Sequence, residues 1–271
     1  MSTKLYDAHV HLADPAFDKH RAQVDADLET IGLGGAIVNG TCPDDWDTVF
    51  QVSASNPCYK AAIGLHPWKV NDAPAGWKSD FADRLDRGVE LVGEIGLDKW
   101  IRGYDLERQI DAFSFQLGEA TKRNLPVSIH CLKAIGPLMG LLREAALPQR
   151  GFHIHAYGGP LELIPELIEL GAYFSFNAGQ LRPDRPEVAE RIRAVPPNRI
   201  LIKTDAPAFK PLPEYEAFVL PEAEDEQEVN HPANLKMGYL AISQIRGVSL
   251  TTLAAQVEAN FLSYFTEARE S

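Results

Sequence analysis

The chain has 271 residues, 45% of them hydrophobic, which is enough apolar material for one large core. Its 38 acidic against 26 basic side chains give a formal net charge of −12, so the molecule as a whole offers a polyanion no long-range attraction. No apolar run approaches the roughly 18 residues that a membrane span needs, and the three cysteines (Cys42, Cys58, Cys131) lack Cys-x-x-Cys spacing and read as reduced thiols.

Taken in order, the chain alternates short apolar runs with helix-like stripes. Met1-Ser2-Thr3-Lys4 leads directly into Leu5-Tyr6 without a signal-peptide pattern, and the expected location is cytoplasmic. Runs that read as buried strands are Leu5–His11, Gly35–Asn39, Lys60–Gly64, Glu90–Ile95, Pro126–His130, Gly151–His155, Ala172–Asn177 and Arg199–Thr204. Between them, Phe17, Val24, Leu28 and Ile31 form one helical stripe, and Leu106, Ile110, Phe113, Leu117 and Ala120 form the clearest. Ile135, Leu138, Leu142 and Ala145 form another, while Leu163, Leu167 and Leu170 precede Gly171, a helix stop. Val188 and Ile192 mark a short helix. Two more follow the eighth strand: Leu235, Tyr239, Ile242 and Ile245, then Leu253, Val257, Phe261 and Phe265 with Ser249 as N-cap. The connection Cys42–Asn56 is only modestly periodic. This pattern predicts a single (β/α)₈ barrel domain over residues 1–271, with an open doubly wound sheet as the alternative. Pro211–His231 reads as a long acidic loop, either a solvated excursion or a lid beside a site.

Chemistry gathers at the predicted strand ends. His9 and His11 are two residues apart, so on a strand they face the same way and can reach one divalent cation. Glu94, His130, His155 and Asp205 end later strands, and His66 follows the third. In a barrel these ends form the floor of the active site, and imidazoles with carboxylates suit Zn²⁺, Mn²⁺ or Mg²⁺. Glu94 has two oxygens and could bridge two cations, which lowers the pKa of a shared water.

Asp7-Ala8-His9-Val10-His11-Leu12, Gly64-Leu65-His66-Pro67, Gly93-Glu94-Ile95-Gly96-Leu97-Asp98, Pro126-Val127-Ser128-Ile129-His130 and Thr204-Asp205-Ala206-Pro207 together resemble the TatD family of metal-dependent hydrolases. Glu107-Arg108-Gln109, Phe113, Gln116, Asn230-His231-Pro232, Asn260-Phe261 and Phe265 extend the match along the chain. The resemblance implies a TIM barrel with one or two divalent ions. His9, His11, Glu94 and Asp205 would hold one, and Glu94, His130 and His155 the second. It implies phosphodiester hydrolysis of the deoxyribonuclease kind by a metal-activated water, with Asp205 and Glu94 catalytic and Asp205 orienting or deprotonating that water. His66 would face the substrate phosphate, Tyr157 and Trp68 would line the pocket, and Lys133 and Lys203 are further substrate-binding candidates. His153 reads as a deeper core residue.

Three departures from the family matter. Lys203-Thr204-Asp205 stands where Glu-Thr-Asp is common, so Lys203 either weakens one metal position, makes a site for an anionic group, or pairs with a carboxylate. No Arg follows His130, leaving Lys133 as a point charge. The segment after the eighth strand is acidic rather than basic. DNA or a small phosphoester is the expected substrate, with no membrane and no obligate protein partner. The alternatives are hydrolysis of a small amide, lactone or phosphoester, or a non-catalytic metal-binding protein.

Overall fold

The structure, a computed structural model, describes residues 3–220 and 229–265. Eight parallel strands lie in chain order around one sheet: β1 (Leu5–Val10), β2 (Leu33–Asn39), β3 (Tyr59–Ile63), β4 (Leu91–Asp98), β5 (Val127–Leu132), β6 (Phe152–Ile154), β7 (Ala172–Phe176) and β8 (Ile200–Ile202). Just past β8 the chain turns back onto β1. The Asp205 amide donates to the His9 carbonyl and the His11 amide to the Ala206 carbonyl, both at 2.9 Å, which brings the two ends of the sheet together as a (β/α)₈ barrel.

Helices cover the outside: α1 (Arg21–Thr30), α2 (Trp46–Ser55), α3 (Trp77–Leu85), α4 (Leu106–Lys122), α5 (Ile135–Glu144), α6 (Ile164–Glu169), α7 (Glu187–Ala194), α8 (Leu235–Arg246) and α9 (Leu250–Phe265). The stripes read from the sequence face inward, with Phe113, Leu117 and Ala120 buried on α4 and Leu253, Val257 and Phe261 on α9. Ser249 caps α9 by accepting from the Thr252 amide at 3.0 Å. Gly171 ends α6 at φ +98°, a conformation that favours glycine. Helix α3 has no counterpart in the sequence reading, because its buried Phe81 and Leu85 are outnumbered by charged neighbours such as Lys78, Asp80, Asp83 and Arg84. Among the described residues no helix is long and apolar enough to cross a membrane.

Three features of the fold position the rim. First, β4 runs on to Asp98, three residues past the predicted Ile95. It pairs Gly96, Leu97 and Asp98 with His130, Cys131 and Leu132 of β5. A Cβ at Gly96 would lie 1.9 Å from the His130 carbonyl oxygen, so glycine is what lets the strands approach this closely. Second, the ladders shift register between Asp7 and Val10 on β1 and between Val92 and Ile95 on β4, around His9 and Glu94. Such irregularities re-aim side chains and cluster near active sites. Third, two buried glutamines of α4 brace the rim backbone. Gln116 accepts from the Leu65 amide at 2.6 Å, and Gln109 accepts from the Asp98 amide at 2.8 Å while donating to the Asp98 carbonyl at 2.9 Å.

The acidic residues Glu222, Glu224, Asp225, Glu226 and Glu228 of the expected lid lie outside the described residues. The start of that loop is anchored. Asn234 accepts from the Ala217 and Phe218 amides at 2.9 Å each, and Glu216 pairs with Lys210 at 3.3 Å.

Below the rim, the barrel seam is held by buried polar groups. Asp7 accepts from the Thr204 hydroxyl at 2.5 Å and from the Thr204 and His9 amides at 3.1 Å. Tyr239 of α8 accepts from the Tyr6 amide and donates to the Tyr6 carbonyl, both at 2.9 Å. Tyr239→Phe removes both bonds and leaves a buried amide without a partner. Urea denaturation is expected to show a loss of about 1–3 kcal/mol, with the specific activity of the folded protein retained. Unchanged stability would show that the seam does not depend on this clamp.

Candidate metal centre

Glu94, 3% exposed, stands at the middle of the strand C-termini with imidazoles on all sides. Its Oε2 faces His9 Nε2 at 3.3 Å and His11 Nε2 at 3.4 Å. Its Oε1 faces His155 Nε2 at 2.6 Å, His130 Nδ1 at 2.9 Å and His66 Nε2 at 3.3 Å. Asp205 Oδ1 completes the first side, 3.3 Å from His9 Nε2 and 3.6 Å from His11 Nε2. The barrel thus brings together His9, His11, His66, Glu94, His130, His155 and Asp205.

The outer nitrogen of each imidazole decides what its inner nitrogen can do. His11 Nδ1 lies 3.0 Å from the Asn39 carbonyl, which only accepts, so Nδ1 carries a hydrogen and Nε2 is the nitrogen that can turn to a cation. His9 Nδ1 meets the Ser128 hydroxyl at 2.9 Å, and Ser128 reaches His153 at 3.5 Å, so the hydroxyl can take the hydrogen from His9 and turn its own to His153. His130 Nε2 donates to Asp98 Oδ2 at 2.8 Å, a carboxylate–imidazole pair that orients the ring. His66 is the reverse case. Its Nδ1 accepts from the Trp68 amide at 3.1 Å, so an N–H points from Nε2 into the site.

Charges follow the same division. Burial pushes His11 and His130 down, but hydrogen bonds and opposite charge outweigh it, Asp205 and Glu94 for His11 and Asp98 and Glu94 for His130. The two rise to about 10 and about 9. Burial, reinforced by His155, pushes His9 down to about 3, and burial lowers His66 and His155. Although burial raises both carboxyls, their cationic neighbours hold Glu94 and Asp205 well below the usual carboxylate range. Both groups are therefore held as carboxylates beside His9 and His11.

The donor set there fits a divalent ion. Ligand atoms held at about 2.0–2.1 Å by a tetrahedral Zn²⁺ lie roughly 3.3 Å from one another. His9 Nε2 and His11 Nε2 are 3.2 Å apart, and their distances to Glu94 and Asp205 are 3.3–3.6 Å. His9, His11 and Asp205 satisfy the spacing of a metal-binding group, as do His9, Glu94 and His155, and His66, Glu94 and His130.

Other expected site residues are placed differently. Lys203 is 1% exposed and pairs with Asp205 Oδ2 at 2.6 Å, so its ammonium is committed inside the wall rather than offered to a substrate. Tyr157, also 1% exposed, donates to the Pro160 carbonyl at 2.6 Å and packs edge-on against Phe174, which is a packing role. Lys133 is exposed just past β5 at φ +54°. His153 is fully buried between Ser128 and Ser175, bonding the latter at 2.5 Å. Asp98, which no motif spacing singles out, holds His130 at 2.8 Å, accepts the Trp68 indole N–H at 2.7 Å, and receives the Trp100 and Ile101 amides at 2.6 and 3.0 Å. Its signal was the strand phase shared by Glu94 and Asp98, hidden by the glycine between them.

A parallel barrel with paired histidines on β1, a buried glutamate on β4, histidines at the ends of β5 and β6 and an aspartate past β8 has the construction of a metal-dependent hydrolase. The family model described as TatD related DNase matches residues 6–266, and the chain belongs to that family. It is similar to the 3'-5' ssDNA/RNA exonuclease TatD of Klebsiella pneumoniae (strain 342), 27% identical over 265 residues that cover 96% of this chain and 97% of the relative. The uncharacterized metal-dependent hydrolase YcfH of Escherichia coli (strain K12) is 27% identical over 208 residues, 75% of this chain and 72% of the relative. Among solved structures, YJJV, a TatD homolog from Escherichia coli K12, superposes with a TM-score of 0.87 at 23% identity, covering 96% of this chain and 97% of that one.

A divalent ion that binds only the folded chain stabilises it. Manganese at a hundred times its dissociation constant is expected to add about 2.7 kcal/mol over the chelator-stripped protein. Thermal denaturation of wild type and His11→Ala checks this, with the increment lost in the variant. A wild-type melting temperature indifferent to Mn²⁺, Mg²⁺ and Zn²⁺ would remove the metal centre.

Proposed function

We propose that this chain hydrolyses phosphodiester bonds in single-stranded nucleic acid, using one or two divalent ions (Zn²⁺, Mn²⁺ or Mg²⁺) held at His9, His11, Glu94 and Asp205, with His130 and His155 the candidates for the second. The observation that carries the substrate class is the rim on the β3–β5 side. There the loops present Trp68, Trp100 and Tyr104, exposed by 45%, 59% and 42%. Between and beside them stand Lys69, Lys99, Arg102 and Lys133. The first two loops are knitted together, Trp68 to Asp98 at 2.7 Å and Asn71 to the Gly103 carbonyl at 3.2 Å. Aromatic faces interleaved with cations suit unpaired bases on a phosphate backbone, because every base has a face to stack. The acidic segment after β8 follows a different strand, and the loops after β3 and β4 carry Asp72 and Asp105 beside their cations. The exonuclease name of the TatD relative agrees with this reading.

When bound, a divalent ion supplies Lewis acidity, lowering the pKa of a water and polarising the scissile phosphate. The side chains do the rest. Asp205, turned toward the centre through Oδ1, orients the attacking water by accepting its hydrogen bond. His66 presents its Nε2–H to the site, 3.3 Å from Glu94, where a phosphate oxygen could accept it. Asp98 keeps the His130 ring in register. His9, buried and neutral, is available as a ligand without first shedding a proton.

Hydrolysis of single-stranded DNA and of bis-(p-nitrophenyl) phosphate with Mn²⁺, Mg²⁺ or Zn²⁺ tests the reading. Asp205→Ala should lose both activities by on the order of 100-fold or more. Trp100→Ala, whose side chain lies outside the ligand cluster, should raise KM for DNA about tenfold and leave the small diester unchanged. Turnover of the small diester with intact DNA would instead point to a small-molecule esterase, and bound metal without turnover of either to a different hydrolase substrate or a binding protein.

A further inference from the structure

We propose that Lys203 locks His155 as a hydrogen-bond donor and so makes this a one-ion centre, with the ion on the His9–His11–Asp205 side of Glu94. The inference rests on the metal-dependent part of the proposed function and is independent of the substrate. Its basis is the direction of the hydrogen bonds.

Lys203 Nζ lies 3.0 Å from His155 Nδ1 and 2.6 Å from Asp205 Oδ2, with its side chain fully buried. An ammonium has three donors and no acceptor. His155 Nδ1 must therefore accept, and the ring hydrogen sits on Nε2. That Nε2 is 2.6 Å from Glu94 Oε1, the length of a charge-assisted N–H···O⁻ bond. An imidazole nitrogen that carries hydrogen has no lone pair to give a cation. In a ligating histidine the outer nitrogen donates, to a carbonyl or a carboxylate, and the inner nitrogen is left bare. His11 on Asn39 and His130 on Asp98 follow that rule, whereas His155 on Lys203 breaks it.

The spacing on the two sides of Glu94 agrees. Around His9 and His11 the donor atoms stand 3.2–3.6 Å apart, as atoms sharing an ion would. On the other side Glu94 Oε1 is 2.6 Å from His155, as hydrogen-bonded atoms are, although the His130 and His155 nitrogens there stand 3.3 Å apart. His66 cannot replace His155 there, since its Nε2 also carries hydrogen. Only His130 and one oxygen of Glu94 would remain for a second ion. Lys203 also occupies Asp205 Oδ2, leaving Oδ1 for the first ion.

Metal content and tautomer test this directly. Chelator-stripped wild type is reloaded with Mn²⁺ or Zn²⁺, and bound metal is counted by isothermal titration and elemental analysis. Wild type should bind one equivalent, and His11→Ala none. Lys203→Glu supplies an acceptor for His155 Nδ1 and should bind two. Lys203→Met removes the donor with little change in volume and serves if the glutamate variant does not fold. It too should gain a second, weaker equivalent. Long-range ¹H–¹⁵N spectra of wild type should show His155 protonated at Nε2, an assignment that requires no variant. Two tight equivalents in wild type, a His155 protonated at Nδ1, or folded Lys203 variants that stay at one equivalent would each overturn the proposal. Zero equivalents in wild type would instead sink the metal reading of the site itself.

Discussion

Glu94 is a carboxylate sealed from water, and an isolated buried charge of that kind is too costly to keep unless it is paired. The barrel meets this requirement with five imidazoles, and the arrangement of the rim follows from how they divide the two oxygens. Three nitrogens crowd Oε1 at 2.6–3.3 Å and two face Oε2 at 3.3–3.4 Å. Within the first group His155 and His130 stand at ordinary hydrogen-bond length from their oxygen, and His66 stands further off. The second does not close to that length, and Asp205 faces it from across the gap. Oε1 is met at hydrogen-bond length and Oε2 is not, so the room for an added cation lies on the Oε2 side of Glu94.

The fold delivers this asymmetry through groups that lie behind the ligands. The direction of each ring is set by one partner: the Asn39 carbonyl for His11, Ser128 for His9, Asp98 for His130, the Trp68 amide for His66 and Lys203 for His155. Those partners are in turn held by the barrel. Asp98 is placed by Gln109 and by the glycine that lets β4 press against β5, and Thr204, between Lys203 and Asp205, is fixed by Asp7 across the seam. Changing an outer partner changes what the inner atom can bind, with no ligand residue altered.

Most of the architecture was legible because apolar runs and polar ends carry strong local signals. All eight strands and the convergence of His9, His11, Glu94, His130, His155 and Asp205 could be read from runs such as Leu5–His11. The misses have physical causes. Gly96 broke the apolar run of β4 and concealed Asp98, while α3 buries too few residues to show a stripe. Tyr157 follows His155 by two residues, but Ala156 at φ +48° turns the chain, so simple alternation fails beyond the strand. The partner of Lys203 was open in sequence. Strand phase puts Lys203 and Asp205 on one face, but whether the amine meets Glu94, Asp205 or a substrate depends on a third dimension that phase does not contain.

The rim loops reconcile the acidity of the chain with the polyanionic substrate proposed for it. Net charge governs approach at long range, and that field is screened within about 8 Å at physiological ionic strength. Once a strand is within reach, local composition decides. The loops after β3 and β4 combine three exposed aromatic rings with Lys69, Lys99 and Arg102, and stacking on such rings does not depend on the sign of the whole molecule. On the proposed reading, an acidic protein with this rim gains little from electrostatic steering and would hold a single strand mainly by short-range contacts. Such binding loses less to added salt than binding dominated by phosphate neutralisation, because fewer counterions are released from the backbone. The same balance suits a centre that keeps a buried lysine behind its ligand candidates, on His155 Nδ1 and Asp205 Oδ2: charge is supplied where an oxygen needs it.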